Sequence, residues 1–133
     1  MAKVLGIGGI FFKSTDPKGL SEWYGKHLGF PVQRWGGAMF FHRSDADPEE
    51  KNYTLWTPFK ADTGHFAPSD KPFMLNLRVD DVDALVAELR AQGVTVLDRA
   101  EDGEYGRFRY AVDPEGTLLE LWQPAAEKND DEK

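Results

Sequence analysis

The sequence predicts an α+β fold in which one β-α-β-β-β unit is written twice. Three observations predict it. An Asp-capped helical pattern occurs twice, a glycine closes each copy of it, and two strand ends match, Thr54-Leu-Trp-Thr-Pro58 and Glu120-Leu-Trp-Gln-Pro124. A helical hairpin or a ferredoxin-like unit could imitate one copy. Two copies in register make coincidence a poor explanation.

The first copy opens on a β-rich run, Val4–Lys13. Asp16 then stands where an N-cap accepts orphan backbone N–H groups, and Pro17 suits the first helical position. Leu20, Trp23, Tyr24 and Leu28 recur at helical spacing and are expected to form the buried stripe. Gly29 suits the left-handed position past the last turn, and Phe30–Arg34 reads as a short strand. The second copy repeats the order with Phe73–Val79, Asp81, the stripe Val82, Leu85, Val86 and Leu89, then Gly93 and Val94–Asp98. The copies span roughly residues 3–59 and 71–124 of a single domain, 1–133. Between them, Phe59–Lys71 is rich in Pro, Gly, Asp and Ser and reads as a loop. The tail Ala125–Lys133 is acidic and charged, and is expected to be mobile. Asp45, Asp47, Glu49 and Glu50 in Ser44–Lys51 could offer calcium its oxygen ligands. That loop lacks the glycine and spacing of a helix-loop-helix calcium site, so a solvated acidic loop is the expectation.

Composition narrows the function classes. Nine Phe, four Trp and four Tyr are ample for a packed interior and out of keeping with disorder. A net charge of −7 would repel phosphate, so no nucleic-acid partner is expected. A cationic ligand would be drawn only weakly and in a salt-dependent way. The lack of cysteine excludes disulfides, thiolate metal sites and cysteine nucleophiles. Gly6, Gly8 and Gly9 break the apolar run near the start, and no run approaches the ~20 residues of a membrane helix. A cytoplasmic protein with no membrane partner is the expectation. Gly6-x-Gly8-Gly9 continues into more strand and is no phosphate loop, and no nucleophile elbow is present.

Several segments carry a family resemblance: Ile7-Gly-Gly-Ile-Phe-Phe-Lys-Ser-Thr-Asp16, Trp23-Tyr24, Leu28-Gly29-Phe30, Arg78-Val-Asp-Asp-Val-Asp83, Gly93-Val94 and Asp113-Pro-Glu-Gly-Thr-Leu-Leu-Glu-Leu121. Together they resemble the vicinal oxygen chelate superfamily, the glyoxalase/bleomycin-resistance/dioxygenase type, over nearly the whole chain before the tail. The resemblance implies two modules forming a curved mixed sheet around a cleft, and a homodimer. Members include glyoxalase-like lyases, extradiol dioxygenases, epimerases, fosfomycin-modifying enzymes and metal-free proteins that sequester bleomycin. The family's enzymes place a metal ligand on the first and last strand of each module. Those positions read Gly9, Thr54, Met74 and Glu120 here, with Leu55 in place of Thr54 if the register slips by one. Only Glu120 suits a divalent transition metal, which needs about three protein ligands. The expectation is a degenerate site without a cofactor, a divalent metal being the alternative.

Strand alternation gives a cleft without the family. Phe73, Leu75, Leu77 and Val79 share the helix face, so Met74, Asn76 and Arg78 face the cleft. Leu119 and Leu121 face the helices, leaving Leu118, Glu120 and Trp122 on the cleft side. Gly9, Phe11 and Lys13 join them, as do Thr54 and Trp56. A four-residue turn at Asp113–Gly116 sets Arg109 opposite Glu120 and Arg107 opposite Trp122, with Phe108, Tyr110 and Val112 toward the helices. An Arg109–Glu120 pair would favour the ionised carboxylate. Trp56, Trp122 and Met74 also read as core fillers, Arg78 as an exposed strand-end residue, and Glu120 as a relic paired with Arg109. His27 suits the end of the first helix. A new metal site from His42, His65 and Glu120 is a further alternative.

The residues point first to a metal-free cleft that binds a small aromatic or amphipathic molecule. Phe11, Thr54, Trp56, Met74, Asn76, Arg109, Glu120 and Trp122 would line it. The alternative is a lyase, isomerase or dioxygenase with Glu120 as general base, or with an atypical metal. A module that binds a partner chain in the aromatic cleft is the third reading. The Arg109–Glu120 pair separates the first two: if Arg109 lies on the helix side, Glu120 is free to act as a base.

Overall fold

The computed structural model describes residues 2–42 and 53–125. The loop Ser44–Lys51 and the tail after Ala125 lie outside the described residues. The elements run β1 (Val4–Ser14), α1 (Pro17–Leu28), β2 (Ala38–Phe41), β3 (Tyr53–Lys60), β4 (Phe73–Val79), α2 (Val82–Ala91), β5 (Thr95–Gly103), β6 (Gly106–Val112) and β7 (Leu118–Pro124). The strands form one mixed sheet in the order β2-β3-β1-β4-β7-β6-β5. Each half pairs its first and last strands in parallel, β1 with β3 and β4 with β7. Antiparallel pairing of β1 with β4 joins the halves.

Local chemistry accounts for the elements. Asp16 and Asp81 each accept a backbone N–H three residues on, from Gly19 at 3.0 Å and Ala84 at 3.1 Å. Gly29 closes α1 at φ 69°, a left-handed conformation in which a Cβ would be strained. The expected strand Phe30–Arg34 is reduced to one bridge, Val32 to Ala38. Pro31 has no N–H to donate, and the chain reverses at once as the Gly36 N–H bonds to Gln33 O at 3.0 Å.

The α1 stripe differs from its expectation. Trp23 and Leu28 are 50% and 59% exposed, and Ser21 is the buried residue. Tyr24 meets Trp56 and Phe30, which anchors α1 shallowly on the first half of the sheet. Helix α2 packs as its pattern implies: Val82 and Val86 join Val79, Ala111 and Leu121, flanked by Leu85 and Leu89. The other face of the sheet holds a second cluster, Phe11, Phe66, Met74, Tyr110 and Leu118.

The β6–β7 hairpin departs from the expected register by one residue. Val112 pairs with Leu118, so Tyr110 lies opposite Glu120 and Arg109 opposite Leu121. Asp113 N bonds to Thr117 O at 3.0 Å, and Gly116 adopts φ 86°. The loop is therefore a three-residue tip with a left-handed glycine, not a four-residue turn. Asp113 Oδ1 fixes it by accepting from the backbone N–H groups of Glu115 and Thr117. A shift of one residue exchanges the faces of a whole strand. Phe108, Tyr110 and Val112 thus face the cavity side, while Arg107 and Arg109 face α2.

Candidate functional site

A cavity of about 490 Å³ lies on the face of the sheet opposite the helices. Every strand contributes to it, from Phe11 on β1 and Met39 on β2 to Glu101 on β5 and Glu120 on β7, so the sheet wraps around it. Leu55, Tyr53, Phe108 and Trp122 form its walls, and Trp35 and Tyr105 stand at its exposed edge. Phe108 and Trp122 stack in parallel with centroids 6.0 Å apart. The Trp122 indole N–H is satisfied by Tyr105 O at 2.8 Å.

Glu120 supplies the charge at the floor and is only 4% exposed. Asn76 Nδ2 donates to its Oε1 at 2.7 Å, and the Tyr110 hydroxyl donates to its Oε2 at 2.7 Å. Both donors are neutral, so the carboxylate is solvated by fixed dipoles. Parallel pairing sets Asn76 directly beside Glu120. The other amide atom, Asn76 Oδ1, has no hydrogen-bond partner among the described residues. It rests over Gly8, where an added Cβ would collide with it. A bulge between Ile7 and Gly9 puts Gly8 at that spot. Burial pushes the Tyr110 phenol up, and the adjacent Glu120 charge pushes it further, so it remains a donor at ordinary pH.

A second layer stands behind this carboxylate. His65 Nε2 lies 3.4 Å from Glu120 Oε2. Arg99 Nε donates to Glu101 Oε2 at 2.7 Å, and the Tyr110 hydroxyl reaches the same oxygen at 3.2 Å. Burial raises the Glu101 carboxyl, but the Arg99 hydrogen bond and charge outweigh it, with help from the Tyr110 hydroxyl, and hold it below the usual range. Arg99 also stacks 4.0 Å from the Tyr110 ring centre.

Of the residues read from the sequence, Phe11, Asn76, Glu120 and Trp122 line the cavity. Thr54 and Trp56 do not. Tyr53 and Leu55 take the cavity side of β3, and Trp56 packs on the helix side with Tyr24, Phe30 and Phe12. The Trp in Thr54-Leu-Trp is thus not the counterpart of the Trp in Glu120-Leu-Trp. The one-residue slip to Leu55 is what occurs, and Gly9 pairs with Leu55. Met74 faces the cavity side but is wholly buried with Phe11 and Phe66, as filler. Arg109 lies on the helix side, bonded to Asp102 at 2.7 Å and 3.3 Å from Asp83. No Arg109–Glu120 pair forms. Arg78 stacks over Trp122 and Tyr53 and donates to Tyr53 O. Sequence reading missed the cavity-facing roles of Tyr110, Phe108 and Tyr53, and the place of Trp35. His65 entered only as a metal alternative with His42, yet His42 bonds to Thr54 Oγ1 at 2.6 Å on the other face. The signal for His65 was its neighbour: His65-Phe66 is an aromatic pair in an otherwise polar loop.

The donor set does not fit the family's metal ion. Gly9 and Leu55 offer no ligand and Met74 is enclosed, so of the four positions only Glu120 offers one. No group of three or more His, Cys, Asp or Glu among the described residues is arranged to hold a metal.

A seven-stranded mixed sheet with two helices, wrapped around an aromatic cavity with one buried carboxylate, has the architecture of the glyoxalase-like class. Residues 9–122 match the glyoxalase-like domain, and the chain belongs to that family. No curated protein matches it. Methylmalonyl-CoA epimerase from Mycobacterium tuberculosis is similar in structure: TM-score 0.60, 23% identity, covering 92% of this chain and 90% of that one. A Streptomyces coelicolor methylmalonyl-CoA epimerase variant in complex with 2-nitronate-propionyl-CoA gives 0.66 at 22%, covering 93% and 100%. A glyoxalase/bleomycin resistance protein/dioxygenase superfamily member from Vibrio splendidus gives 0.56 at 14%, covering 92% and 99%. At these identities the likeness is one of fold. No helix among the described residues is long and apolar enough to cross a membrane.

Proposed function

We propose that the cavity binds a small, flat, largely apolar molecule and that Glu120 acts on it as a general base, in an isomerase- or lyase-type proton transfer without a resident metal. One observation carries this reading: Glu120 is buried at the floor of an aromatic cavity and held by neutral donors, with Arg109 on the opposite face. Among the described residues its hydrogen bonds come from neutral groups, one to each oxygen, from Asn76 and Tyr110. A carboxylate beside a bound C–H adjacent to a carbonyl is the arrangement that proton abstraction needs. The epimerases named above support the choice of reaction class only by fold.

The test uses enolisable aryl carbonyl compounds that quench the tryptophans lining the cavity. In D2O the protein should speed exchange of the α-hydrogens, and Glu120→Gln should lower the rate by about 10²–10⁴-fold while binding persists. Exchange unchanged by Glu120→Gln would overturn the reading. Binding with no exchange would leave a protein that only sequesters its ligand, a second reading favoured by the seven aromatic rings in the lining. One tightly held metal per chain, lost on Glu120→Ala, would refute the metal-free part. A homodimer belongs to the same proposal. Leu5, Ile7 and Ile10 of β1 are more than 40% exposed, and sedimentation should give about twice the 15.0 kDa chain mass, a strict monomer counting against it.

A further inference from the structure

His65 comes from the loop between the halves and is anchored by its neighbour Phe66, which is wholly buried. Its ring stacks on Phe59, 5.3 Å away and within 19° of parallel, and stands edge-on to Tyr110. Nδ1 lies 3.0 Å from Arg99 Nη2, and Arg99 Nη1 donates to the His65 carbonyl at 3.0 Å. A guanidinium has only donors, so Nδ1 must accept and the hydrogen of the neutral ring sits on Nε2. At 3.4 Å from Glu120 Oε2, that N–H is too far for a good hydrogen bond. Among the described residues it makes no other. Arg99 is itself held by Glu101 and by the Tyr110 ring.

We propose that His65, fixed by Arg99 as the Nε2–H tautomer, is the electrophilic partner of Glu120 toward an enolisable carbonyl compound. The inference rests on the role of Glu120 as a base. Glu120 takes a proton from the carbon beside the carbonyl. The C–H electron pair becomes the C=C bond of the enolate, and the carbonyl π pair moves to oxygen, to whose developing charge the His65 N–H donates a hydrogen bond. Returning the proton from Glu120 to carbon restores the carbonyl, with no other reactant. A fixed N–H aimed at charge that appears only in the transition state needs no reorganisation when the reaction occurs. His65 lines the same cavity as Leu55, which offers no ligand for a cation. His65 is the catalytic residue and Arg99 a positioning residue.

Two measurements test this. Long-range proton–nitrogen spectra of histidine-labelled protein should show neutral His65 protonated on Nε2 alone, and R99M should turn that into a mixture of tautomers. With phenylacetone as the probe, H65F should lower α-hydrogen exchange in D2O by about 10²-fold. H65Q, whose amide N–H can reach the Nε2 position, should retain more of the rate than H65F. Phenylacetone quenching of tryptophan fluorescence in each variant reports the folded cavity. A hydrogen on Nδ1 would overturn the proposal. So would H65F exchanging at the wild-type rate while E120Q does not, an outcome that leaves Glu120 as the base. Exchange unaffected by E120Q, or absent with phenylacetone bound, would remove the underlying reading and this inference with it.

Discussion

In the first half of the molecule β1 and β3 set Gly9 beside Leu55. In the second, β4 and β7 set Asn76 beside Glu120. The backbone plan is the same and both pairs turn to the same cavity, yet one end is apolar wall and the other polar floor. An unpaired buried carboxylate is expensive, so the floor is viable only where neighbours supply donors. Tyr110 and Asn76 do so in the second half. At the first-half position the neighbours are Phe11 and Leu55, which offer no hydrogen-bond donor.

The largest expected effect comes from forcing the first half to resemble the second. Leu55→Glu places a carboxylate beside Gly9 and the Phe11 ring with no donor built for it, and should destabilise the protein by about 2–4 kcal/mol in denaturant melts. A neutral result would mean that this end of the cavity is wet, and the contrast between the halves would fail.

The halves also touch, which a smaller change can sharpen. Gly8→Ala puts a methyl group from β1 against Asn76 Oδ1 and the Trp122 ring. Asn76 must move, loosening its bond to Glu120, at roughly 1–3 kcal/mol. Probe exchange should fall with it, and an unchanged rate would show that the amide does not position the carboxylate.

Arg109 should matter least to the cavity. Its hydrogen bond and charge, joined by Arg107, outweigh a smaller burial effect and hold the Asp102 carboxyl below its usual range. A depressed carboxyl contributes stability that is present above the unfolded value and lost as pH falls through the folded one. Arg109→Met should therefore flatten the acid side of the stability profile and leave probe binding unaltered. Weakened binding would tie this outer charge cluster to the site after all.

Legibility divided along physical lines. The doubled plan, the caps at Asp16 and Asp81, and the cavity-facing alternation of β4 and β7 were readable because each depends on neighbours a few residues apart. The hairpin register was not readable. Asp113-Pro-Glu-Gly serves a four-residue turn or a three-residue tip closed by Thr117, and the choice moved Tyr110 under Glu120 and sent Arg109 to Asp102. The face of β3 failed for a related reason: two similar tripeptides suggested one register, but Trp56 found its packing against α1.

By itself, then, the sequence determined that two halves, each a strand, a capped helix and further strands, would build one sheet and that Glu120 would need a partner inside it. Period and capping are local, and a charge between Leu119 and Leu121 cannot be left unsolvated. Only the tertiary structure decided which partner. Tyr110, Asn76 and His65 lie 10, 44 and 55 residues before Glu120 along the chain. They meet it through one turn geometry, one parallel strand pairing and one loop pinned by Phe66, and contacts over such separations are set by how the whole sheet closes around its contents.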